Sequence, residues 1–244
     1  MIVVEGLEKR YGSVTAVDGV SFEAPNARVT GLLGPNGAGK TTTLRMLSTL
    51  IRPDAGRALV DGIDVQKEPR AALRRLGVLP DGRGLYPRLS AREHLRYFGS
   101  LQGMRSSGLE QRIQTLVDLL DMKDIVDRRV AGFSQGERTK VAIARALIHA
   151  PGNVVLDEAT NGLDVMSTRA MREVIRRLAA DGTCVLFSSH VMQEVSALCD
   201  HIVIFARGRV VMQGSPESLL ERTAQTNLEN AFVQIIGSDA GLVR

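Results

Sequence analysis

Tryptophan is absent from the 244-residue chain, and aromatic residues make up only 4% of it. That scarcity argues against a surface of aromatic platforms for stacking the bases of single-stranded nucleic acid. Only two cysteines occur, Cys184 and Cys199, and no Cys-x-x-Cys spacing exists. A disulfide framework and a thiolate metal site are both excluded. Cys184 lies in the apolar run Thr183-Cys184-Val185-Leu186-Phe187 and reads as a small buried hydrophobe in a reducing compartment. No apolar run approaches the roughly 18 residues that span a bilayer. The start, Met1-Ile2-Val3-Val4-Glu5, lacks a basic segment followed by a long apolar one, so no signal peptide is expected. The expectation is a cytoplasmic protein whose membrane role, if any, comes through a partner.

What is present is an ordinary globular mixture. Hydrophobic residues make up 44% and charged residues 24%, with a net charge of +4 and a sequence pI of about 9.4. The basic residues are scattered, so charge alone selects no partner.

The apolar pattern changes character along the chain. Residues 2–33 contain short β-branched stretches, at 17–22 and 29–33, that read as strands. Leu44, Leu47 and Ile51 share one face of a helix predicted over 39–51 and stopped by Pro53 and Gly56. A strand pair is predicted over 57–65, turning at Asp61-Gly62. Strand-like runs then vanish from 82 to 150. Helices are predicted near 90–103, 109–121 and 135–149, the last closed by Pro151. Beyond it, strands at 154–157, 185–188, 202–205 and 210–212 alternate with helices at 166–180 and 191–199, which argues for a parallel α/β sheet. The first of those helices is expected to turn Ala170, Val174 and Leu178 inward and Arg169, Arg172 and Arg176 outward. A small helical tail is expected over 215–236.

The chemistry is carried by Gly34-Pro35-Asn36-Gly37-Ala38-Gly39-Lys40-Thr41, a full match to GxxxxGK[ST] that follows a predicted strand and opens a predicted helix. Glycines let successive backbone N–H groups turn inward around phosphate oxygens, and the helix N-terminus adds partial positive charge. Lys40 is expected to reach the β- and γ-phosphates of ATP, and the Thr41 hydroxyl to ligate Mg²⁺. A second acidic site is supplied by Val154-Val155-Leu156-Asp157-Glu158, in which an apolar strand delivers two carboxylates at its C-terminal end. Asp157 is assigned to the Mg²⁺ shell and Glu158 to the general base that polarises the attacking water.

With these motifs in place the chain resembles the ABC ATPase family over nearly its whole length. Phe133-Ser134-Gln135-Gly136-Glu137 resembles the family's signature, and Asp157 follows Glu137 twenty positions on, as in the family. Asn161-Gly162-Leu163-Asp164 resembles the D-loop, His190 the switch histidine, and Tyr11 the aromatic that stacks on adenine. The resemblance implies a P-loop ATPase core with a mixed sheet (1–81 and 151–214), an inserted helical subdomain (82–150), a small antiparallel β part and a C-terminal helical tail (215–236, then 237–244). It adds Val17 and Thr42 to the nucleotide-binding set. It further implies two copies sandwiching ATP head to tail, with Ser134 and the Gly136 amide reaching the γ-phosphate across the interface. An integral membrane permease is the implied partner, on the cytoplasmic face of the membrane; nucleic acid is not.

Three positions depart from the family pattern: Gln135 for the usual Gly, Ala159 for the usual Pro, and Asp81 for a Gln that contacts Mg²⁺ and the membrane partner. Gly84-Leu85-Tyr86-Pro87-Arg88-Leu89, the variant signature and Asn227-Leu228-Glu229-Asn230-Ala231-Phe232 resemble the export branch, most of all the sodium-efflux (NatA-like) ATPase subunits. Drug and polymer exporters share much of this pattern. Non-transport ABC ATPases differ by fused second domains, coiled coils or zinc insertions that this sequence lacks.

Overall fold

The computed structural model describes residues 1–82 and 84–240. The chain opens with two long antiparallel strands, β1 (Ile2–Tyr11) and β2 (Val14–Ala24), whose alternation, shifted by an irregularity between Val4 and Leu7, buries Ile2, Val4 and Leu7 against Val20, Phe22 and Ala24. β3 (Val29–Leu33) is buried throughout and runs into the phosphate-type loop and α1 (Lys40–Leu47). α1 stops four residues short of the predicted end. Thr49 takes a left-handed conformation, and the amides of Leu50 and Ile51 both turn back to the Arg45 carbonyl. Ile51 still reaches the core, from the turn rather than from the helix.

β4 (Ala55–Val60) and β5 (Ile63–Asp64) form the expected hairpin. Asp61 and Gly62 both adopt positive φ, as a two-residue type I′ turn requires. The short α2 (Pro69–Leu73) leads to β6 (Leu76–Leu79). Then come α3 (Ala91–Leu101), α4 (Ser106–Leu119), a 3₁₀ turn (Val130–Gly132) and α5 (Gln135–Leu147). α3 and α5 both start with complete capping boxes, Ser90 with Glu93 and Ser134 with Glu137. β7 (Asn153–Asp157), α6 (Val165–Ala180), β8 (Cys184–Ser189), α7 (Met192–Leu198), β9 (His201–Ala206) and β10 (Arg209–Gly214) follow, ahead of α8 (Pro216–Thr223) and α9 (Leu228–Ala240). The expected tail is thus two helices; its last residues, 241–244, lie outside the described residues.

Two sheets result. One is antiparallel, in the order β2-β1-β4-β5; the other has six strands in the order β10-β9-β3-β8-β7-β6, parallel except for β10. The second is the mixed sheet expected of the α/β class. Its central strands β3, β8 and β7 are buried at every position because both faces are covered. Leu32, Val155, Leu186, Val203 and Phe205 face the antiparallel sheet and α1. Leu33, Leu156, Phe187, Ile202 and Ile204 face the helices.

α6 corrects the predicted orientation. Its buried stripe is Met171, Ile175, Leu178 and Ala179, while Ala170 is exposed, Val174 is half-buried and Arg172 is drawn partly inward. The true stripe follows i, i+4, i+7; the predicted one followed i, i+4, i+8, and the two meet only at Leu178.

Candidate nucleotide site

The sheet order sets the site. β3, β8 and β7 are neighbours, paired in parallel with Leu33 opposite Ser189 and Ser188 opposite Asp157. Three loops therefore leave the same edge side by side: 34–39 from β3, Glu158 onward from β7, and His190 onward from β8. Ligands of open parallel sheets bind at this carboxyl edge.

The first loop is built around Gly39, which has φ +104°. A Cβ there would stand 2.6 Å from the Ala16 carbonyl oxygen. The loop is braced from behind, where the Gly208 N–H donates to the Ala38 carbonyl at 3.0 Å. Lys40 is buried, and its ammonium donates to the Gly34 carbonyl at 2.6 Å and the Pro35 carbonyl at 3.2 Å. Burial pushes its pKa below the ordinary lysine value, against the pull of Glu158 and Asp157. In this arrangement the loop's own carbonyls hold the cation that an anionic ligand would claim.

The second loop begins at Asp157, which is also buried. Its carboxylate accepts hydrogen bonds from the Ser188 and Thr41 hydroxyls. Burial nevertheless raises its pKa above the usual aspartate value, and the nearby charge of Asp81 adds to that rise. Such a carboxylate, buried and beside a threonine hydroxyl, is a hard oxygen set of the kind that Mg²⁺ takes. Glu158 sits in the left-handed region at φ +50°. Its N–H is held by the Ser188 carbonyl and by Ser188 Oγ, each at 3.2 Å. From the third loop, His190 Nδ1 lies 3.0 Å from Glu158 Oε2.

These parts share one cleft of about 550 Å³, large enough for a nucleotide, lined by Tyr11, Asn36 to Thr42, Asp81, Glu158, Asn161 and His190. Tyr11 is half exposed at its mouth, with the Lys9 ammonium 5.7 Å from the ring centre. Val17 is fully buried among core residues directly behind the loop, its Cγ2 3.5 Å from where a Cβ on Gly39 would stand, while β2 supplies the cleft wall through Val14, Thr15 and Ala16. Ser134 and Gly136 do not line the cleft. Ser134 is exposed at the N-terminus of α5, where its Oγ accepts the Glu137 N–H at 3.2 Å. Gln135, the variant residue, lies against Gly162. Ala159 is buried without strain.

The domain model for ABC transporters matches residues 17–161, more than half of the chain. The chain belongs to the ABC transporter ATPase family. It is 46% identical over 238 residues to the ABC transporter ATP-binding protein NatA of Bacillus subtilis (strain 168), covering 96% of this chain and 97% of that one. It is also 36% identical to the Nod factor export ATP-binding protein I of Ralstonia nicotianae, across 100% of this chain and 75% of the relative. A solved ATP-binding subunit of an ABC transporter superposes with a TM-score of 0.88 at 26% identity, covering 96% of this chain and 99% of that one. As an ABC ATPase the protein is the ATP-binding, ATP-hydrolysing subunit of a transporter.

Several residues of the ABC site escaped sequence reasoning. Ser188 carries a bond to Asp157 and two to the Glu158 amide, yet a serine ending a strand gives no signal of that. Arg145, on α5, donates to the Gly84 carbonyl at 3.0 Å, and the Tyr86 N–H donates to buried His94 Nε2 at 2.8 Å. Together they fasten the loop after Asp81 to α5 and α3.

Proposed function

We propose that this chain powers export through a separate membrane permease by hydrolysing ATP between two copies of itself. The observation that carries the reading is the juxtaposition of the 34–42 loop with the Glu158–His190 pair on one sheet edge.

The adenine lies on Tyr11 and the triphosphate in the cradle of amides from Gly34 to Thr42. Lys40 exchanges its two carbonyl partners for phosphate oxygens. Glu158 takes the proton of the attacking water, and His190 is oriented by Glu158 towards the γ-phosphate. Mg²⁺ would be held by Thr41 and Asp157, with Asp81 beside them, and supplies charge neutralisation of the phosphates.

The exposed helix N-terminus at Ser134 supplies, from a second copy, a partner for the outer face of the γ-phosphate. Ser134 Oγ already accepts from Glu137, so its hydroxyl proton remains to donate to an anion. Loss of the γ-phosphate then releases the sandwich. Residues 82–150 act as the subdomain that transmits this motion, within a single ATPase domain over 1–236.

No helix among the described residues is long and apolar enough to cross a membrane. In this reading a separate permease holds the chain at the cytoplasmic face. An exposed patch of Tyr86, Tyr97 and Leu101 beside the 80–90 loop offers it an apolar contact. Export is favoured by likeness to a relative named for Nod factor export, and Na⁺ by the sequence resemblance to sodium-efflux subunits. Drugs and polymers are the alternative cargo. Reconstitution with the permease, measuring ATP-driven flux of Na⁺ against candidate drugs, tests the reading. ATP-dependent Na⁺ extrusion supports it; drug flux without Na⁺ flux reassigns the cargo; no coupled flux of any solute overturns the exporter.

A further inference from the structure

Behind the catalytic pair lies a carboxylate with no role in the reaction just described. Glu194, in the first turn of α7, is buried, and its Oε2 accepts hydrogen bonds from two hydroxyls: Thr160 Oγ1, and Ser189 Oγ at 3.0 Å. Both hydroxyl residues are buried as well, and no Lys or Arg forms an ion pair with Glu194 among the described residues. A carboxylate held only by neutral donors is costly to bury, and an apolar side chain would fill the same space at less cost.

The placement of its two partners gives it a use. Thr160 lies two residues after Glu158, and Ser189 immediately precedes His190. Ser189 Oγ also accepts the Val191 N–H at 3.0 Å, which fixes the direction in which its own proton points. The backbone of Glu158 is in the left-handed region that non-glycine residues occupy at a cost, so the surrounding bonds must hold it there. In front, the β7 and β8 loops meet through the 3.0 Å contact of Glu158 with His190 and through the Ser188 bonds. At the back they meet through Glu194.

We propose that Glu194 is a positioning residue: its carboxylate clamps the Thr160 loop to the Ser189 loop and so sets the distance between Glu158 and His190. The proposal rests on the reading of Glu158 and His190 as the hydrolytic pair. It predicts a defect in turnover without one in nucleotide binding, because the phosphate cradle and Tyr11 are carried by other strands.

The test is steady-state ATP hydrolysis by the full-length protein, with ATP affinity measured separately and rates expressed per folded molecule. Glu194→Ala should lower kcat by roughly tenfold or more, as misplacement of reacting groups by about an ångström does, while KM and Kd for ATP stay within about twofold. Glu194→Gln should restore most of the rate, since its amide oxygen can take the place of Oε2 and accept from both hydroxyls. Thr160→Val is nearly isosteric and leaves Glu194 in place, so it guards against a simple folding failure. It should lower kcat several-fold, and the double variant Glu194→Ala/Thr160→Val should be no slower than Glu194→Ala alone. Unchanged kcat in Glu194→Ala and Thr160→Val, or a loss that adds fully in the double variant, overturns the clamp. If Glu158→Gln hydrolyses ATP normally, the underlying assignment of the pair fails instead, and that result is read independently of Glu194.

Discussion

His190 Nδ1 and Glu158 Oε2 are 3.0 Å apart, although they belong to loops leaving two different strands. The carboxylate is mostly shielded and the imidazole less so, which leaves the ring's other edge towards the open cleft. The contact fixes the ring's orientation and points the carboxylate at the space in front of the 34–42 loop. Glu158→Gln is expected to bind ATP with wild-type affinity and to lose about 10²–10⁴ in kcat, the usual value of general-base assistance. Equilibrium binding and steady-state phosphate release check it; near-normal turnover removes Glu158 from the role.

Lys40 has two carbonyl partners at 2.6 and 3.2 Å, which it must release to meet phosphate. Lys40→Ala leaves those carbonyls facing the anion with nothing between them. MgATP binding should weaken at least tenfold, or hydrolysis should stop. Unchanged affinity and turnover in this variant would place the active site elsewhere.

Asp157 gives a pH dependence with a definite sign. Its raised pKa means that it takes up a proton at a higher pH than an ordinary aspartate, and the protonated form is a poor metal ligand. Mg²⁺-dependent ATP binding should therefore decline on acidification, beginning above the usual aspartate range. Ser188 holds the pKa down through its hydroxyl, so Ser188→Ala should move the decline to still higher pH. Titrating MgATP affinity against pH for both proteins measures this; a shift to lower pH, or none, contradicts the assignment of Asp157 to the metal.

Asp81 lines the cleft beside Glu158 and adds negative charge near Asp157. With Mg²⁺ present that charge is tolerated or helpful; with metal-free ATP it opposes the triphosphate. Asp81→Asn should lower the Mg²⁺ dependence of nucleotide binding several-fold after solvent and salt screening. Identical metal dependence in the two proteins would make Asp81 a plain loop residue.

Legibility in the sequence followed the range of the physics. The 34–41 loop was readable because its constraints are local: glycines at positive φ, a lysine and a threonine at fixed spacing. Asp157 was readable because an apolar run ending in acids is a strand ending at a sheet edge. The Asp61-Gly62 hairpin is a short-range feature as well. Long-range choices were less visible. Which face of α6 is buried was decided by the sheet beneath it, so Met171 and Ile175 displaced Ala170 and Val174. Val17 reaches the core because a register shift between it and Val20 changes the parity that Val20, Phe22 and Ala24 set on β2, a strand that begins at Val14, three residues before the predicted start. The bond from Glu194 to Thr160 links side chains 34 residues apart and of everyday types, with no spacing that marks them.

The most direct test of the account is complementation between two inactive variants, Ser134→Arg and Lys40→Ala. Ser134 lies outside the cleft of its own chain, so it is expected to act only on the nucleotide of a second copy. Mixed dimers, verified by differential tags, should regain ATP hydrolysis through the one composite site in which both residues are intact. Mixed dimers that form and remain as inactive as either variant alone would contradict the head-to-tail arrangement.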